Sequence, residues 1–79
     1  MFRPFTVYPR FDGEIFEVDL KIEIEQIHDD AGRYWTIGSV EIDKIHEPTY
    51  HRVTPRVIDT LKLEIDKILQ KTPVRDIML

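Results

Sequence analysis

Residues 16–25 read FEVDLKIEIE, a strict alternation of apolar and charged side chains. A period of two residues is that of a β-strand with one buried face and one solvated face. The alternation therefore predicts a long, half-buried strand over about residues 14–28. A strand with one buried and one solvated face is typical of an antiparallel sheet.

A tight turn directly before this strand predicts a hairpin. Asp12 and Gly13 form the Asp-Gly pair that favours two-residue turns, because both central residues there adopt positive φ. Closing the hairpin at this turn predicts a first strand over about residues 2–10, with Val7 facing Val18. Two prolines in this strand restrict it to an edge of the sheet.

A second hairpin is predicted after residue 28, with a loop over residues 29–32 and a third strand over about residues 34–45. The apolar pattern of this strand shifts by one position between Ile37 and Val40, and Gly38 lies at the shift. One extra residue in a strand restores such a pattern. We therefore predict a β-bulge at Gly38.

The C-terminal third of the chain has the pattern of an amphipathic helix. Thr54 followed by Pro55 is a helix-start signal. Thr72 followed by Pro73 ends the amphipathic pattern and is a second helix-start signal of the same kind. These signals predict a helix over about residues 55–71 and one further turn over residues 72–77. The expected fold is α+β, a three-stranded antiparallel meander packed on one face by this helix, in a single domain over residues 1–79.

The composition agrees with an intracellular protein that folds on its own. There is no cysteine to form a disulfide or a thiolate metal site, and 42% of residues are hydrophobic against 33% charged. No apolar run approaches the length of a membrane span, and the N-terminal residues do not have the pattern of a signal peptide. We expect a soluble, cytoplasmic protein without a membrane partner.

The histidines do not form a recognisable metal motif. His46 and His51 are five residues apart with Pro48 between them, whereas a zinc-protease helix needs two histidines four residues apart. Phosphate loops, nucleophile elbows and cysteine–histidine pairs are also missing from the sequence. The sequence therefore predicts no metal, no cofactor, no catalytic residues and no enzymatic activity.

The face of the sheet away from the helix is predicted to be acidic. In the expected register Lys21 alone offsets the acids, and Asp19 lies directly across from Asp43, where like charges repel. One interpretation is a solvated face that prevents aggregation. The other is a contact surface for a basic protein partner. The predicted acidic residues are Glu17, Asp19, Glu23, Glu25, Glu41 and Asp43.

The second hairpin is predicted to be longer than the helix. A strand over residues 15–28 spans about 46 Å, whereas a 17-residue helix spans about 26 Å. Either the tip projects with Tyr34 and Trp35 exposed, or the C-terminal residues around Ile77 fold back over it. Exposed aromatic side chains of this kind are typical of interfaces.

These features favour a non-enzymatic protein-binding module, a small inhibitor or adaptor that acts by occupying a basic partner. The acidic face and the aromatic pair Tyr34 and Trp35 are its expected contacts, and virus-encoded mimics of nucleic acid that antagonise host nucleic-acid machinery are an analogy. One alternative is a homodimer. Another is weak nucleic-acid binding through Arg52 and Arg56, which the net charge of −4 disfavours.

Overall fold

The computed structural model describes residues 1–46 and 52–78, which form two sheets and two helices. The strands at residues 2–7, 17–29 and 32–46 pair in that order as an antiparallel sheet, and those at residues 10–11 and 14–15 form a separate short ladder. The predicted α+β fold, a three-stranded antiparallel sheet with a C-terminal helix, is confirmed. The elements are β1 (Phe2–Val7), β2 (Arg10–Phe11), β3 (Glu14–Ile15), β4 (Glu17–Asp29), β5 (Gly32–His46), α1 (Pro55–Gln70) and α2 (Val74–Met78).

The first hairpin has the predicted turn but not the predicted continuous strands. Asp12 and Gly13 have φ values of 51° and 79°, as the Asp-Gly turn requires. The expected strand over 2–10 is divided before Pro9, which lacks a backbone N–H, and the expected strand over 14–28 is interrupted at Phe16. The backbone N–H of Phe16 donates to the carbonyl of Pro9 at 2.9 Å, which joins the two parts of the hairpin.

The predicted bulge at Gly38 is confirmed by the pairing of β4 with β5. Ile22 pairs with Val40, whereas Ile24 pairs with Ile37, so β5 contains one extra residue in this interval. The extra residue keeps apolar side chains on the inner side of the sheet on both sides of the shift.

A second bulge at Asp43 was not predicted. Leu20 pairs with Ile42, but Asp19 pairs with Lys44, so the expected opposition of Asp19 and Asp43 is wrong. The physical reason is Ile45, which packs against the core only if the strand shifts by one position after Ile42. Lys44 takes the place across from Asp19 and removes the predicted repulsion.

The core lies between the inner side of the sheet and α1. Helix α1 begins as predicted, because the side chain of Thr54 accepts a hydrogen bond from the N–H of Val57 at 3.3 Å. It ends at Gln70, one residue before the predicted end, and Lys71 is its C-cap. The buried hydrophobic side chains are those of Val7, Phe16, Val18, Leu20, Ile22, Ile24, Val57, Leu61, Ile65, Leu69 and Ile77.

Both expectations for the hairpin tip are partly correct. Helix α2 contacts β1 and β5, and its Ile77 is buried together with Ile24 in the core cluster. Beyond the part that α2 covers, β4 and β5 continue as a two-stranded ribbon, and Tyr34 and Trp35 in this ribbon are 49% and 42% exposed. The described part of the chain is correspondingly elongated, with extents of 50 × 20 × 18 Å. It contains no helix that is both long and apolar enough to cross a membrane.

Candidate binding face of the sheet

The outer face of the sheet, opposite α1, carries all six acids that the sequence placed there. Residues 17, 19, 21, 23 and 25 of β4 alternate with buried positions, and so they project outward. The bulge at Asp43 turns Lys44 and His46 to the same side. The expectation that Lys21 alone offsets the acids is therefore wrong, since Lys44 and His46 contribute as well.

The end of this face near His46 is compensated by ion pairs. The imidazole Nε2 of His46 lies 2.9 Å from Asp19 Oδ2 and 3.4 Å from Glu17 Oε2. Lys21 Nζ lies 3.5 Å from Asp43 Oδ1. All five of these ion-pairing side chains are partly exposed, so their individual contributions to stability are small.

Asp19 is the most constrained carboxylate of the face. Hydrogen bonds from His46 and from the Thr6 hydroxyl, the latter at 2.9 Å, hold the pKa of Asp19 below its ordinary value of 3.8. Lys44, across the strand pair, lowers this pKa further. The carboxylate is thus held ionised in the folded protein by neighbours on both β1 and β5.

This lowered pKa predicts a pH-dependent contribution to stability. The ionised Asp19 stabilises the folded state above its unfolded pKa, and the contribution is lost as the pH falls through the folded value. Asp19→Asn is expected to lower the urea midpoint near neutral pH, and the difference from wild type should shrink as the pH falls from about 5 to below the ordinary pKa of 3.8. Urea titrations at several pH values test this, and a difference that stays constant over this range would contradict it.

The other end of the face carries acids that form no ion pair with the described residues, although Lys21 lies across from Glu41. Within residues 1–46 and 52–78, Glu23, Glu25 and Glu41 form no ion pair. The Glu25 carboxylate lies over Gly38, so close that a side-chain carbon at Gly38 would be 2.7 Å from Glu25 Oε1. The bulge glycine therefore leaves room for this carboxylate on the outer face.

Two exposed aromatic side chains accompany these acids. Phe2 on β1 pairs with Glu23 on β4. Tyr34 on β5 pairs with Ile27, which is two residues after Glu25 on β4 and faces the same side. We name this group, Phe2, Glu23, Glu25, Tyr34 and Glu41, the acidic–aromatic patch. Successive residues of a strand face opposite sides, so Trp35, although exposed, projects away from the patch. Tyr34 and Trp35 thus do not form one contact surface.

His28 and His46 lie far apart in the structure, and His46 contacts two acids of the outer face. His28 pairs with Arg33 at the ribbon tip, far from His46, which pairs with Glu17 at the opposite end of the strands. Glu47, Pro48 and His51 lie outside the described residues. The contact of His46 with Glu17 and Asp19 was missed, although the three-residue spacing of Ile42 and Ile45 signals the strand shift that creates it.

The remaining candidate positions lie on the helix side. Arg52 and Arg56 are exposed around the start of α1, whose first turn contains no acid among the described residues. An open groove of about 700 Å³ runs between β5 and α1, and its lining is mostly apolar. Val40, Ile42, Ile58 and Ile65 contribute to the lining, with Lys62 and Asp66 on the helix side.

Comparison of the chain with protein-family models, with curated proteins and with solved structures finds no match. The functional argument consequently rests on the geometry and the charge of these surfaces.

Proposed function

We propose that this chain is a non-enzymatic, protein-binding module that acts by occupancy, with the acidic–aromatic patch as its contact surface. The observation that carries the proposal is the uneven compensation of the outer face. Acids near His46 form ion pairs within the chain, whereas Glu23, Glu25 and Glu41 form none among the described residues, although Lys21 lies across from Glu41 and pairs instead with Asp43. A cationic partner would supply the missing counter-charge.

The chemistry of the patch favours arginine and lysine side chains on the partner. Carboxylates accept paired hydrogen bonds from a guanidinium, and an aromatic ring beside them adds a cation–π contact. Phe2 is 47% exposed next to Glu23, and Tyr34 is similarly exposed beyond Glu25. A basic groove that otherwise holds nucleic acid is the kind of surface that this combination fits, as in an inhibitor or an adaptor. The absence of cysteine agrees with action inside the cell.

Charge reversal within the patch tests the proposal. The triple variant Glu23→Lys, Glu25→Lys and Glu41→Lys is expected to lose binding to a fluorescently labelled arginine-rich peptide, measured by anisotropy at low and at physiological salt. Because the three side chains are on the outer face, circular dichroism should show an unchanged fold.

A matched control separates the patch from net charge. Asp59→Lys, Asp66→Lys and Asp76→Lys together change the net charge by the same amount at exposed positions of α1 and α2. This variant is expected to retain most of the binding. Equal affinity of the wild type and the patch variant, or equal loss in both variants, would refute a role for the patch. If the patch variant alone loses binding, capture from a lysate with the wild type, the patch variant and the control variant would identify the natural partner.

One observation favours homodimerisation as a second candidate. In the described part of the chain β5 is an edge strand of 15 residues that runs beside the apolar groove. Pairing of two β5 edges would extend the sheet and cover Val40, which is exposed. Sedimentation velocity at micromolar concentration decides between the two candidates, because patch binding requires no dimer.

A further inference from the structure

We propose that Glu17, Asp19 and His46, here named the His46 cluster, bind a divalent transition-metal ion such as Zn²⁺. This inference is independent of the proposed protein-binding function, because the cluster lies at the other end of the outer face. It rests on the arrangement of three potential ligand atoms from two strands.

The distances within the cluster suit a metal ion. One atom from each of the three side chains lies within 4.8 Å of the other two. Two ligand atoms bound to Zn²⁺ at about 2.1 Å are about 3.0 Å apart in octahedral geometry and about 3.4 Å apart in tetrahedral geometry. The distances from His46 Nε2 to Asp19 Oδ2 and to Glu17 Oε2 are 2.9 Å and 3.4 Å.

The backbone holds the cluster in place. Glu17 and Asp19 are two residues apart on β4 and share a face, and His46 is the pairing partner of Glu17 on β5. The bulge at Asp43 brings His46 to this face. No loop closure is therefore needed to assemble the three ligands.

A supporting side chain orients one of the carboxylates. The hydroxyl of Thr6, on β1, donates to Oδ1 of Asp19. Hydrogen bonds of this kind to ligating carboxylates are typical around protein metal ions. In the metal-free protein Oδ2 accepts from Nε2–H of His46, and Zn²⁺ would take the place of this proton, which is released to solvent on binding. Imidazole nitrogen and carboxylate oxygen are both ordinary zinc ligands, and water would complete the coordination. Lys44, across from Asp19, opposes a cation and should limit the affinity.

Titration of the full chain, without a polyhistidine tag, with ZnCl₂ tests the proposal by calorimetry. The wild type is expected to bind one Zn²⁺ per chain and to show a higher unfolding midpoint in its presence. His46→Ala and Asp19→Asn are each expected to weaken Zn²⁺ binding by more than about 10-fold. Replacing a residue that only hydrogen-bonds to a metal ligand already costs about that much, so loss of a ligand should cost at least as much.

His28→Ala is the matched control, because His28 is exposed at the far end of the ribbon. It should bind Zn²⁺ as the wild type does. Circular dichroism of each metal-free variant establishes that it is folded, and if His46→Ala is not, Asp19→Asn and Glu17→Gln carry the test. Absence of saturable binding by the wild type, unchanged affinity of the ligand variants, or an equal loss in His28→Ala would overturn the proposal.

Discussion

Replacing Leu61 by alanine is expected to lower the free energy of unfolding by about 2–5 kcal/mol. Leu61 is fully buried, at 0% exposure, and occupies the middle of the stripe by which α1 packs on the sheet. Removal of its side chain leaves a cavity that neighbours on the sheet and the helix cannot fill without moving.

The effect should be large relative to the stability of so small a protein. At about 0.05–0.15 kcal/mol per residue, a chain of this length has about 4–12 kcal/mol in total. Much of the population could therefore be unfolded in the Leu61→Ala variant, without any disulfide to limit the loss. Urea denaturation followed by circular dichroism measures the change.

Leu63 provides the matched control, since it is the same residue type on the same helix at 64% exposure. Leu63→Ala should change the free energy of unfolding by less than about 0.5 kcal/mol. Similar urea midpoints for the two variants would show that the assigned inner face of α1 is wrong.

The sequence predicts the sheet register well where apolar spacing is informative. The Asp-Gly turn and the alternation after it define the pairing of Val7 with Val18, and the shift between Ile37 and Val40 predicts the bulge at Gly38. Each of these signals is local. Because one face of the sheet is buried, only one register keeps the apolar side chains of all three strands on that face.

The errors arise where tertiary packing selects between local alternatives. The shift after Ile42 exists because Ile45 reaches the core, which alternation in β4 alone does not reveal. That shift changes the candidate site, since it replaces an Asp19–Asp43 repulsion by contacts with Lys44 and His46. Charge patterns on a sheet are therefore only as reliable as the register beneath them.

The interruption before Pro9 has a similar origin. Pro9 is fully buried, and Phe16 packs edge-to-face on Phe11 with ring centroids 6.3 Å apart. The strands are interrupted where Pro9 and Phe16 are buried, and no periodicity in the sequence predicts this interruption. Glu23 and Glu25 lie beyond this interruption, and their outward placement was predictable because the alternation continues through them.

Replacing Ile77 by alanine is expected to release α2 from the sheet. A five-residue helix is not stable in isolation, so its order depends on packing, and Ile77 is its buried residue. The loss of about 2–5 kcal/mol should fall mainly on α2, because β1, β4, β5 and α1 retain their mutual contacts. Hydrogen exchange of the α2 amides measures the local opening.

Arg75→Ala supplies the control, since Arg75 is exposed on the same helix. We expect protection in α2 to persist in this variant and to disappear in Ile77→Ala, while the amides of β4 exchange slowly in both. Loss of protection throughout the sheet in Ile77→Ala would mean instead that α2 is an integral part of one cooperative unit. If only α2 opens, as expected, Ile24 and Ile37 on the inner side of the sheet become exposed and the outer face stays intact. Binding through the acidic–aromatic patch should then survive the substitution, because that patch lies on the opposite side of the sheet.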